Sequence, residues 1–165
     1  MKVLIKNRQR LIKIDLQKLK CNSRKALRLL GLKKAELSIL LVNDRKMKAL
    51  NSMHRHIGKT TDVLSFPQYS WQAGKLASNK VTTGLADLRT CGLVLGDIVI
   101  NLQAAKRQAP EHGLSFMEEI RWLLVHGILH LIGYDHEKGK YAGKKMREKE
   151  KELLKYMGST GKDKS

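Results

Sequence analysis

His126-Gly127-Ile128-Leu129-His130-Leu131-Ile132-Gly133-Tyr134-Asp135-His136 places three of the chain's six histidines within eleven residues. Residues four apart on a helix share a face, so His126 and His130 can point at one metal ion. Gly133 tolerates the left-handed conformation that ends a helix, and the turn it permits can return His136 to the same ion. Three neutral imidazoles with one position left open are the usual set for a catalytic zinc. A lone His on an apolar face more often packs or hydrogen-bonds; three at this spacing point to a metal. Trp122, Leu123, Leu124 and Val125 precede the run, and Ile128, Leu129, Leu131 and Ile132 fill it. The spacing therefore predicts a helix that is apolar nearly all round and buried, which lends the site a dry wall.

The frame H-x3-H-x2-G-x2-H is also that of the metzincin proteases, which read H-E-x-x-H with the Glu as general base. Here that position is Gly127. Peptide hydrolysis by that route lacks its proton acceptor, so a metalloprotease is the weakest of three functional readings.

Outward from this run the chain alternates strand and helix signals. Residues 2–6 predict a short strand. Residues 15–30 carry Leu16, Leu19, Ala26, Leu27 and Leu30 at helical spacing and stop at Gly31. Ser38–Val42 is an apolar run suited to a buried strand. Asp44 reads as the N-cap of a short helix bearing Met47, Leu50 and Met53. Asp62 to Phe66 alternates and ends at Pro67, which reads as a strand with Asp62 at its turn. Residues 68–92 are rich in Ser, Thr, Gly and Asn and predict a long loop. Gly96–Ile100 is a further strand. Asn101 begins a helix expected to break near Pro110 and Gly113. Ser115, with Glu118 three residues on, forms a capping box for the helix that enters the histidine run. Lys140 to Met157 is a charged final helix with Met146, Leu153 and Leu154 on its inner face.

These signals predict a single α+β domain over residues 1–157, with residues 158–165 as a disordered tail. A small mixed sheet of about four strands packs with about five helices, which cover one face. The metal site sits on a buried helix.

The 165 residues include 33 Lys and Arg against 15 Asp and Glu, a net charge of +18. So strong a field favours polyanionic partners. A hydrolytic metal beside a basic surface suits phosphodiesters, so nucleic acid is preferred to an anionic membrane. No segment reaches ~18 uninterrupted apolar residues, the length of a membrane span. The basic N-terminus lacks the apolar core of a secretory signal. Cys21 and Cys91 show no C-x-x-C spacing and read as free thiols in a reducing compartment. The expected location is cytoplasmic, with an organelle as the alternative.

Two motifs carry a resemblance to the YbeY family of metal-dependent endoribonucleases, which act in ribosomal RNA maturation. One is the H-G-x-L-H-L-x-G-Y-D-H run at 126–136. The other is Arg55 followed by Thr61-Asp62-Val63-Leu64-Ser65-Phe66-Pro67. Leu95-Gly96-Asp97-Ile98 is a weaker third element, and Met146, Glu150 and Leu154 keep the spacing of the family's last helix. The chain departs from the family pattern at His54, where Tyr is usual, and at Thr60, where Pro is usual; neither position is a proposed ligand. His54 and His56 read as surface residues.

The resemblance implies one zinc ion held by His126, His130 and His136, and a ribonuclease activity. It also implies a positive groove in which Arg55 binds RNA and acts in catalysis by gripping the scissile phosphate. Other divalent ions would also suit three imidazoles. Asp97 and Asp135 are candidates for the general base. Asp135, next to a ligand, is alternatively an orienting partner for an imidazole. The leading reading is a zinc-dependent, single-strand-specific endoribonuclease. It would act on ribosomal RNA in maturation and ribosome quality control, with the ribosome or a ribosomal protein as partner. The alternative is a non-catalytic ribosome-assembly factor with structural zinc, in which Cys91 could supply a fourth ligand.

Overall fold

A computed structural model describes residues 1–68 and 94–158. Strand β1 (Lys2–Asn7) is followed by α1 (Leu16–Leu29), β2 (Glu36–Val42), α2 (Asp44–Arg55) and β3 (Val63–Pro67). Then come β4 (Val94–Asn101), α3 (Leu102–Glu111), α4 (Phe116–Leu131) and α5 (Lys140–Gly158). The sheet order is β1-β2-β4-β3. β1, β2 and β4 run parallel, and β3 lies antiparallel at the edge beside β4. This is the α+β domain with a mixed four-stranded sheet that the sequence predicts. The predicted 68–92 loop and the terminal tail lie outside the described residues, save for Gln68 and Gly158.

Because successive strand side chains point to opposite faces, one face of the sheet carries Val3, Leu37, Ile39, Leu41, Ile98 and Ile100. These pack against buried residues of α1, α3, α4 and α5 in one continuous core. The other face is not bare. Val42, Leu64 and Val99, flanked by Leu40 and Phe66, close over Met47 and Leu50 of α2. Among the described residues helices thus cover both faces, four on one and one on the other, where a single covered face was expected. The Met47/Leu50 stripe of α2 needs an apolar partner, and the second face supplies it.

Helix ends follow their side-chain chemistry. Asp15 caps α1 by accepting from the Lys18 N–H at 2.9 Å. At α2 the cap is Asn43, which accepts from the Lys46 N–H at 3.0 Å, and not Asp44. Asp44 is drawn away by a two-pronged ion pair with Arg107, at 2.7 and 2.9 Å. That guanidinium, foremost, holds its carboxyl below the ordinary value. Asn101 caps α3 through the Gln103 and Ala104 N–H groups. α3 runs through Pro110 to Glu111 before ending at His112. A proline so near the end removes only one ladder bond, and the exposed Lys106 four residues back can pass its carbonyl to water. The Ser115–Glu118 capping box of α4 forms as predicted.

α4 is the central helix. Ile120, Leu123, Leu124, Val125, Ile128, Leu129 and Leu131 are all fully buried. Burying each such side chain stabilises by about 1.5–3 kcal/mol, so α4 is a rigid base for what it carries. Among the described residues no helix is long and apolar enough to cross a membrane. Cys21 is free and exposed; Cys91 lies outside the described residues.

Candidate metal centre

α4 ends where the histidine run predicts. The Gly133 N–H donates to the His130 carbonyl at 3.1 Å and the Tyr134 N–H to the Leu129 carbonyl at 3.0 Å. This bonding pair is the glycine-terminated Schellman close of a helix. Gly133 sits at φ +96°, a backbone conformation that favours glycine. The chain doubles back, and His136 returns to His126 and His130. One ring nitrogen from each of the three lies within 4.8 Å of the others. The Nε2 atoms of His126 and His130 are 3.1 Å apart and face one another. A tetrahedral ion with bonds near 2.0–2.1 Å asks for roughly 3.3 Å between ligand nitrogens, so the donor set fits a small divalent cation. Burial first, then the neighbouring His126 and His136 rings, push the His130 imidazole below its ordinary value. The neutral form that ligates metal is therefore favoured.

His126 is the most constrained of the three. Its ring stacks on Trp122 at 5.4 Å between centroids and 30° between planes. Its Nδ1 is 2.6 Å from Oε1 of Glu150, a buried carboxylate on α5. The glycine between the ligands has a steric reason. A Cβ at position 127 would lie 3.0 Å from Ile98 Cγ2 and 3.2 Å from Ser65 Oγ. The Ser65 hydroxyl donates to the Gly127 carbonyl at 3.2 Å. Position 127 is thus the contact between α4 and the sheet, where even a Cβ would press on the Ile98 and Ser65 side chains.

The three imidazoles lie in a cleft of about 580 Å³ whose wall includes edge strand β3 and whose rim includes His54 and Arg55 at the end of α2. Arg55 is exposed on that rim. His54 packs against Phe66 at 4.9 Å and also lines the cleft. His56, in the left-handed conformation that caps α2, does not line it. A buried network sets the rim in place. The Asn101 side-chain amide donates to Asp44 at 2.7 Å and to the Thr61 carbonyl at 3.1 Å, joining the starts of α2, β3 and α3.

The two candidate bases separate. Asp135 lines the cleft, but its Oδ1 accepts from the Glu137 N–H at 2.9 Å. It shapes the turn that carries His136. Asp62 also lines the cleft, as a turn residue bonded to the Val63 N–H at 2.7 Å. Asp97 is not brought to the cleft; it is exposed on β4, in register with Phe66 and Ser38. The sequence placed Asn101 at a helix start and Glu150 in the spacing of the last helix, but gave neither a part in the site. A readable signal for Glu150 was an acidic residue in the apolar stripe Met146, Leu153, Met157 of α5, which requires a buried partner.

Residues 4–158 match the family model described as Endoribonuclease YbeY. The chain is 40% identical over 153 residues to the protein named Endoribonuclease YbeY of Aquifex aeolicus, covering 93% of this chain and 89% of that one. It is 42% identical over 120 residues to the protein of the same name from Acetivibrio thermocellus, covering 73% and 72%. Among solved structures, the solution structure of TM1509 from Thermotoga maritima superposes with a TM-score of 0.61 at 24% identity, covering 99% of this chain and 96% of that one. The last comparison supports the fold.

Proposed function

We propose that this chain, which belongs to the endoribonuclease YbeY family, is a zinc-dependent endoribonuclease that cuts single-stranded ribosomal RNA during ribosome maturation and quality control. The observation that carries this reading is the convergence of His126, His130 and His136 on one point inside a cleft with Arg55 on its rim. A divalent ion held there would polarise a phosphoryl oxygen and lower the pKa of a water toward ~7.

The chain's own residues supply the rest. Arg55 grips the scissile phosphate with two parallel N–H bonds and stabilises the charge that grows there. The wall of β3 holds the strand against the histidines. Few aromatic side chains are available to stack on bases, so RNA is held chiefly through phosphates. Binding then weakens steeply with added salt. Asp135 lines the cleft and Asp97 does not, which supports Asp135 over Asp97 as proton acceptor.

The test is cleavage of a single-stranded ribosomal RNA fragment by purified protein beside His130→Ala. Loss of cutting in the folded variant supports the reading. Equal cutting by both means a contaminating nuclease and favours a non-catalytic assembly factor. A 2′,3′-cyclic phosphate end would replace water by the RNA 2′-hydroxyl as nucleophile.

A further inference from the structure

Glu150 lies 24 residues after His126, on a different helix, yet its Oε1 is 2.6 Å from Nδ1 of that ring. Its side chain is 8% exposed. A carboxylate so buried is unfavourable unless it is hydrogen-bonded, and His126 is the partner the structure records. The neighbours of Glu150 on the inner face of α5 are Met146, Leu153 and Met157, all buried in the main core. The packing of α5 therefore fixes the stretch of helix from which the carboxylate reaches His126.

The geometry of the ring tells what this contact does. Nε2 of His126 faces Nε2 of His130 at 3.1 Å, so Nε2 is the nitrogen aimed at the shared point. A neutral imidazole has one N–H and one lone pair. If the proton sat on Nε2, His126 could not ligate, and its Nδ1 lone pair would face a carboxylate oxygen at 2.6 Å. With the proton on Nδ1, Glu150 accepts a hydrogen bond and Nε2 presents its lone pair. Trp122 stacks on the ring and limits its tilt. Asp135, the residue whose sequence position suggested an orienting role, is bonded instead to the Glu137 backbone.

We propose that Glu150 is the positioning residue of the metal centre: it selects the tautomer of His126 that ligates through Nε2, and so couples metal uptake to the docking of α5. The inference rests on the metal-binding reading of the three histidines. Losing a carboxylate that orients a metal-bound imidazole typically weakens metal affinity 10–100-fold.

The test uses the full chain, stripped of metal, as wild type, Glu150→Ala, Glu150→Gln and His130→Ala. Zinc affinity is measured by competition with a chromophoric chelator. Side-chain ¹⁵N spectra of the metal-free proteins report the His126 tautomer. The expected result is tight binding of one zinc by wild type and a 10–100-fold loss in Glu150→Ala. Glu150→Gln, whose amide oxygen still accepts from Nδ1–H, should recover most of that loss. The tautomer should be Nδ1–H in wild type and a mixture in Glu150→Ala. Should Glu150→Ala fail to fold, Glu150→Gln still discriminates: a His126 that is no longer Nδ1–H in that variant, together with wild-type zinc affinity, would overturn the assignment. Wild-type affinity and tautomer in folded Glu150→Ala would overturn it as well, while leaving the metal site standing. Failure of wild type itself to bind zinc more tightly than His130→Ala would sink the metal reading instead.

Discussion

On α4, Trp122 stands between two histidine–carboxylate pairs that join this helix to its neighbours. On one side His126 Nδ1 meets Glu150 at 2.6 Å; on the other His112 Nδ1 meets Glu119 at 2.9 Å. Both carboxylates are buried, and both rings touch Trp122. The difference lies at the second ring nitrogen. His126 turns its Nε2 toward His130 in a cleft that His136 also lines, whereas His112 stands with 45% of its side chain exposed and outside the histidine cluster. The same pairing thus serves two ends. Beside converging ligands it orients a metal site; alone it satisfies a carboxylate buried under a helix start. A His–carboxylate contact by itself marks neither.

Breaking the two sides separately should separate the two roles. The largest effect is expected from His126→Ala. Loss of a ligand removes several kcal/mol of transition-state stabilisation, so RNA cleavage should fall about 10³-fold or more, with zinc no longer retained on gel filtration. His112→Ala should leave zinc content and cleavage unchanged; a comparable loss of either would erase the distinction. Arg55→Ala sharpens the contrast within the cleft. Cleavage should fall about 10²-fold, as for removal of a single charge-stabilising donor, while zinc stoichiometry stays the same.

His112→Ala should instead register in stability, because Glu119 Oε2 loses its partner and Glu119 Oε1 already has none among the described residues. A fall of roughly 2–4 °C in Tm is expected by calorimetry, typical of a modest loss in a chain of this size. The effect should depend on pH in a stated direction. The hydrogen bond that His112 donates to Glu119, then that carboxylate's charge, hold His112 above its ordinary value. A raised folded value means that the stabilisation is complete below the unfolded value of about 6.5 and is lost as pH rises through the folded one. The Tm gap between wild type and His112→Ala should therefore be widest near pH ~6 and narrow on the alkaline side. A gap that widens with pH would contradict this pairing. The smallest effect is expected from Asp97→Asn, which lies outside the cleft: cleavage within about twofold of wild type, since exposed sites away from special features rarely matter.

Much of this was written locally in the chain. The H-x3-H pair, Gly133 and His136 encode their own geometry, because helix periodicity and one left-handed glycine are properties of a few consecutive residues. The Ser115–Glu118 capping box is local in the same way. Less legible was the choice between neighbours of equal propensity. Asn43 and Asp44 are both good caps, and the choice fell to Arg107, 63 residues away, which took Asp44. The second covered face of the sheet was hidden for a similar reason. The Met47/Leu50 stripe declares that α2 is amphipathic but not which surface it covers.

The sequence by itself therefore determined a buried α4, the converging histidines, the mixed α/β character and the strongly basic charge, since each follows from composition or from short-range periodicity. Only the tertiary structure decided that Glu150 rather than Asp135 meets His126 and that Asp97 stands apart from the cleft. Those outcomes depend on which distant helix or strand faces which. A hydrogen bond acts over about 3 Å, a separation that neither residue identity nor sequence distance specifies until the core has packed.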